Sequence, residues 1–105
     1  MPSLYITEVA RLGSDYGGQS VMALQTPVGV SQIIPLTTGS AVSLPFGGAT
    51  RFVRAYTEAK CSLVFGSPGV VPIATMADMP LPAEAVEYFC VAPGMSLAAI
   101  LNTNT

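Results

Sequence analysis

Residues Thr50 to Gly66, TRFVRAYTEAKCSLVFG, decide the fold class. Phe52, Arg54 and Tyr56 alternate with Arg51, Val53 and Ala55; further on, Cys61, Leu63 and Phe65 alternate with Lys60, Ser62 and Val64. A period of two is that of an extended chain whose successive side chains point to opposite faces, and aromatic and β-branched residues suit such a surface. The few polar residues between the two runs make a short turn. The stretch therefore reads as a central hairpin, and Arg51, Arg54 and Lys60 give it three of the chain's four basic residues.

Upstream, Ser3 to Ala10 alternates as an opening strand, with Leu4, Ile6 and Glu8 on one side and Tyr5, Thr7 and Val9 on the other. Glu8 is expected to mark a solvated end of its face. Arg11 to Gln19 carries turn chemistry in Gly13, Ser14, Asp15, Gly17 and Gly18. Ser20 to Thr26 supplies a second strand. Val28 to Leu36 supplies another that stops near Pro35, whose missing N–H excludes a central ladder position. Ala41 to Phe46, interrupted by Pro45, suits a sheet edge.

Downstream of Gly66, a long irregular connection carries Pro68, Pro72, Pro80 and Pro82. It is expected to pack across the open end of a sandwich, with Val70, Val71, Ile73 and Met76 pointing inward. Val86 to Val91 and Ser96 to Leu101 read as a second hairpin, joined by a type II turn at Ala92-Pro93-Gly94-Met95. Residues 102–105, NTNT, are expected to be a flexible tail. The fold expected for residues 1–105 is a single all-β domain, an antiparallel β-sandwich or small β-barrel of about seven or eight short strands.

Charged residues are 10% of the chain, against roughly 25% in an average soluble protein. A folded monomer of this size exposes on the order of 5,500 Å², which ten charges cover poorly. Much of the surface must then be apolar, hydroxyl or backbone, and large apolar patches mark partner or self contacts. A homo-oligomer or a component of a larger assembly is expected. The net charge of −2, without a basic run, disfavours nucleic acid. No run of about twenty apolar residues suggests a membrane span, and no secretory signal is read in MPSLYITEVARLG. Two cysteines, Cys61 and Cys90, fall in strands and are read as buried reduced thiols.

The chain has no histidine, so neither a serine nor a cysteine nucleophile has its usual base. Lys60 and Ser62 share a strand face, but a turn-proximal lysine there reads as solvated. Glu84 and Glu87, three apart on an extended chain, point to opposite faces and do not make a glycosidase pair. Asp15 and Asp78 lack the clustered oxygen ligands of a calcium loop, and the glycines near position 17 precede no lysine or helix to cradle phosphate. Phe52, Tyr56, Tyr88 and Phe89 could stack a sugar or a base; alternating strand aromatics are read here as core. No enzymatic activity, cofactor, metal or small-molecule substrate is expected.

LYITE, RFVRAYTEAKCSLVFG and PLPAEAVEYFCVAPGMSLAAIL together resemble small structural gene products of tailed bacteriophages. The likeness rests on a Val-Arg strand, a Cys-x-x-x-Phe-Gly strand, a proline-rich connector and E-Y-F-x-V-x-P-G, covering the C-terminal half and the first strand. The resemblance implies a β-sandwich that oligomerises on the virion, most often as a trimer. Its role would be a capsid decoration (cement) protein, or alternatively a head–tail or tail component. The implied partners are further copies of itself and a major capsid or other virion protein, with assembly in the host cytoplasm. Arg51, Arg54 and Tyr56 are the candidate partner interface, since a guanidinium can pair with a carboxylate across a contact; the two arginines can equally be snorkelling near a strand end. A carbohydrate- or surface-binding β-module is the reading from another class.

Overall fold

The computed structural model describes residues 2–10, 12–14, 20–24 and 30–103. They contain ten strands and no helix: β1 (Ser3–Val9), β2 (Leu12–Ser14), β3 (Ser20–Leu24), β4 (Ser31–Pro35), β5 (Ala41–Val42), β6 (Phe52–Thr57), β7 (Cys61–Gly66), β8 (Met79–Leu81), β9 (Val86–Cys90) and β10 (Ser96–Leu101). One sheet has the order β4-β1-β6-β9, the other β5-β10-β7-β8, and β2 pairs with β3 in a separate ribbon. All pairings are antiparallel. The chain is an all-β sandwich. Part of the turn expected at Arg11 to Gln19 is strand β2; Arg11 and residues 15–19 lie outside the described set.

The expected central hairpin is not one. β6 and β7 are consecutive strands in different sheets, each flanked on both sides by other strands. Val53, Ala55 and Thr57 of β6 and Cys61 and Leu63 of β7 are all buried, and two adjacent apolar faces can cover each other only from opposite layers. The crossing is held from both sides. Thr57 Oγ1 accepts the Ala59 N–H at 3.3 Å and donates to the Ala59 carbonyl. Glu58 N–H donates to Ser3 C=O in the first sheet at 3.1 Å, and Asn102 N–H to Lys60 C=O in the second at 3.0 Å.

The second expected hairpin is also a crossing, since β9 pairs with β6 and β10 with β7. Its turn is nevertheless the expected one: Gly94 has φ +84° and Met95 N–H donates to Ala92 C=O at 3.2 Å. Ser67-Pro68-Gly69-Val70 repeats that geometry, with Gly69 at φ +81° and Val70 N–H on Ser67 C=O at 2.9 Å. The two turns pack together, for a Cβ on Gly94 would stand 3.2 Å from Pro68 Cβ. Between β8 and β9 the chain crosses sheets again through Glu84, at φ +59°, whose N–H donates to Thr57 C=O at 2.8 Å.

Leu4, Ile6, Ile34, Val53 and Ala55 meet Cys61, Leu63, Leu81, Leu97 and Ala99 in the core, and Leu36 and Phe46 join them. The proline-rich connection does not cap the open end. It lies as a strap on the outer side of the second sheet, where Ala74 N–H donates to Ser40 Oγ at 2.8 Å and Ser62 Oγ donates to Met76 C=O at 3.3 Å. Small residues there, Ser62, Gly66, Ser96 and Ala98, let the strap come close, and all four are buried. Pro72 and Ala74 face the sheet, while Val70, Val71, Ile73 and Met76, expected inward, are exposed, Ile73 by 75%. A strap seated through a proline ring and a methyl group turns its intervening side chains to solvent. Asn102, expected in the flexible tail, is buried, with its amide donating to Ser62 Oγ at 2.9 Å.

Candidate functional site

The outer side of the first sheet is built by register. Tyr5 stands opposite both Ile33 and Tyr56, and Tyr56 opposite Val86. One step along, Thr7 stands opposite Ser31 and Arg54, and Arg54 opposite Tyr88; next come Val9, Phe52 and Cys90. Directly opposed residues of an antiparallel pair share a face. One largely apolar, aromatic face therefore spans all four strands; it is covered at Val9, which is buried, and open to solvent at Ile33, Tyr5, Val86 and Tyr88.

The rings on it are paired. Tyr5 and Tyr56 stack with centroids 6.1 Å apart, and Phe52 and Tyr88 tilt against each other at 6.3 Å. Of the four aromatics expected in the core only Phe89 turns inward, where it meets Phe65 at 5.1 Å. Tyr88 is 53% exposed and Phe52 and Tyr56 are half-buried. The inner places on β6 belong to the smaller Val53, Ala55 and Thr57, so the aromatic set of the same alternation faces outward. Ile33, Tyr5 and Val86 complete this surface and escaped the sequence reading. Their signal was only the strand alternation, which does not say which of two faces is wet.

Of the expected interface residues, the structure brings Arg54 and Tyr56 together and leaves Arg51 apart. Arg54 is half-buried among Thr7, Tyr88 and the flanking rings, and no hydrogen bond or ion pair joins it to another described residue. Arg51 lies before β6, where Nη1 donates to the carbonyls of Gly48 at 3.1 Å and Thr50 at 3.2 Å. It fastens its own turn.

Glu8 is not solvated. It is 2% exposed, and its carboxylate accepts from Thr50 Oγ1 at 2.7 Å, Gly47 N–H at 2.8 Å and Gln32 Nε2 at 2.9 Å. Gln32 in turn grips Leu44, accepting its N–H at 2.8 Å and donating to its carbonyl at 3.3 Å. The cluster ties the 43–50 loop to the first sheet and is structural in character. Ser62 is sealed beneath the strap between Asn102 and Met76, which leaves its hydroxyl no access to substrate. Asp78 accepts from the N–H and hydroxyl of Thr75 within its own turn. Asp15, Gly17 and Gly18 lie outside the described residues.

Both cysteines are free, and they differ in setting. Cys61 is buried as expected, and burial pushes its thiol up, outweighing the opposing Thr57 hydrogen bond. Cys90, expected buried, is exposed on the aromatic face. Among the described residues no group of three or more Asp, Glu, Cys and His is placed to hold a metal ion, and no helix is long and apolar enough to cross a membrane. An open apolar depression of ≈ 180 Å³ lies at the base of the strap, between Val42, Pro45, Val70 and Val71. No family model, curated protein or solved structure matches the chain.

Proposed function

We propose that this chain is a non-enzymatic assembly protein of a tailed-bacteriophage virion, a capsid decoration (cement) protein that oligomerises and stabilises the shell. The observation that carries the assembly reading is the aromatic outer face of the first sheet, where Arg54 is the one charge among eleven residues and Ile33, Tyr5, Tyr56, Val86 and Tyr88 are partly open to solvent. Such a surface costs solubility unless something covers it. The strap adds Val70, Val71 and Ile73 on the opposite side, so a subunit can contact its own kind and a shell protein at once. Its work is mechanical: buried area and strand-edge pairing hold neighbouring subunits against pressure from within. The virion placement rests on the sequence resemblance, and a head–tail or tail position would use the same surfaces.

The stacked Tyr5–Tyr56 pair and the exposed Tyr88 favour one second reading, a carbohydrate-binding module that stacks sugar rings on them. Light scattering across protein concentration, at low and high salt, separates the two. The expected result is a closed oligomer whose mass is insensitive to salt, because the contacts are apolar. A monomer throughout overturns self-assembly and leaves the sugar-binding reading, for which glycan addition would quench tyrosine emission.

A further inference from the structure

The edge strands of the two sheets differ in how they are protected. β4 ends on Pro35, β5 has two residues, and β8 carries Pro80 in the middle of three. Proline, shortness and charge are the usual devices that keep an edge from pairing. β9, Val86-Glu87-Tyr88-Phe89-Cys90, has no proline and one charge, and four of its five residues are exposed.

Its backbone direction follows from its ladder with β6. Val91 N–H donates to Arg51 C=O at 2.9 Å and Thr57 N–H to Ala85 C=O at 3.1 Å. By antiparallel alternation, Phe89 and Glu87 also spend their peptide groups on β6. Val86, Tyr88 and Cys90 direct N–H and C=O away from the sheet, and their side chains lie on the aromatic face.

We infer that β9 is the self-association edge: two copies pair β9 antiparallel about a two-fold axis through Tyr88, which joins the two first sheets into one. This rests on the reading that the chain works by self-association and names the surface and the partner, a second copy. The strand is complementary to itself in that register. Tyr88 meets Tyr88 of the other copy, Val86 meets Cys90, and every outward N–H finds an outward carbonyl. Glu87 falls opposite Phe89, so no like charges are directly opposed. On the outer face the rows become continuous: Arg54 and Tyr88 run into the other Tyr88 and Arg54, and Tyr56 and Val86 into Cys90 and Phe52. The aromatic surface doubles in width without a charged seam.

The register supplies its own test. Val86→Cys places a new thiol opposite Cys90 of the second copy. Within one chain, positions 86 and 90 are about 13 Å apart on an extended strand, beyond the roughly 7 Å that a disulfide spans. Mild oxidation should give a disulfide-linked dimer on a non-reducing gel, absent in the unsubstituted protein and in Val86→Cys/Cys90→Ala. Tyr88→Pro removes an outward N–H and no ladder hydrogen bond; it should reduce the mass by light scattering to that of one chain while the thermal transition stays cooperative. An oligomer that neither cross-links through Val86→Cys nor dissociates with Tyr88→Pro overturns the β9 pairing and leaves self-association standing. Cross-linking of the unsubstituted protein through Cys90 alone overturns the register. A monomer at every concentration overturns both the pairing and the reading beneath it.

Discussion

At position 8 a carboxylate occupies a place that the alternation of β1 assigns to the core side, next to Leu4 and Ile6, and it is tolerated because three donors converge on it. A buried acceptor of this kind organises a loop that has no ladder of its own. Glu8→Ala leaves the Thr50 hydroxyl, the Gly47 N–H and the Gln32 amide without their acceptor, and urea unfolding should report a loss of about 2 kcal/mol. Glu8→Gln keeps an oxygen for Gly47 and Thr50 but turns its own NH₂ toward the Gln32 amide. Gln32 cannot flip to accept without releasing the Leu44 N–H, so a smaller loss of about 1 kcal/mol is expected.

Among the elements, the strap over the second sheet depends on one missing side chain. A Cβ on Gly66 would stand 2.7 Å from Pro72 Cδ and 2.8 Å from the Val70 carbonyl oxygen. The latter is backbone, so relief requires the strap to lift. Gly66→Ala should cost about 1–3 kcal/mol, in the range of an overpacked core, and lower the melting temperature. Gly48→Ala, where a Cβ meets nothing within 4 Å, is the control and should be near neutral. The strap was legible as a long connection from its prolines. Its seat was not, since the smallness of Ser62, Gly66, Ser96 and Ala98 has meaning only once they are seen on one face of adjacent strands.

For the molecule as a whole, the path of the chain couples the layers. From β4 to β7 successive strands alternate between sheets, and β8, β9 and β10 do so again, so neither sheet can open without the other losing its connections. Three of the four tyrosines, Tyr5, Tyr56 and Tyr88, report on the first sheet, and the buried Cys61 thiol on the second. In a urea titration, loss of tyrosine signal and exposure of Cys61 to a thiol reagent should share one midpoint, whereas exposed Cys90 reacts without denaturant. Two separated midpoints would show sheets that unfold independently. At this scale the oligomer measurement also belongs, because the aromatic face is a property of four strands together.

The sequence by itself determined the all-β class, the positions of most strands, the edge character of the segment that stops near Pro35 and of the one interrupted by Pro45, and the type II turn at Pro93-Gly94. Each is local: strand alternation, a missing N–H and a glycine φ are set by a residue and its immediate neighbours. Only the tertiary structure decided that β6 and β7 face each other across the core, that Phe52, Tyr56 and Tyr88 look outward, and that Glu8 is buried. Alternation separates two sets of side chains without saying which is wet, and strand pairing is a contact between distant segments. Both are settled by what covers each face, and that depends on the whole chain at once.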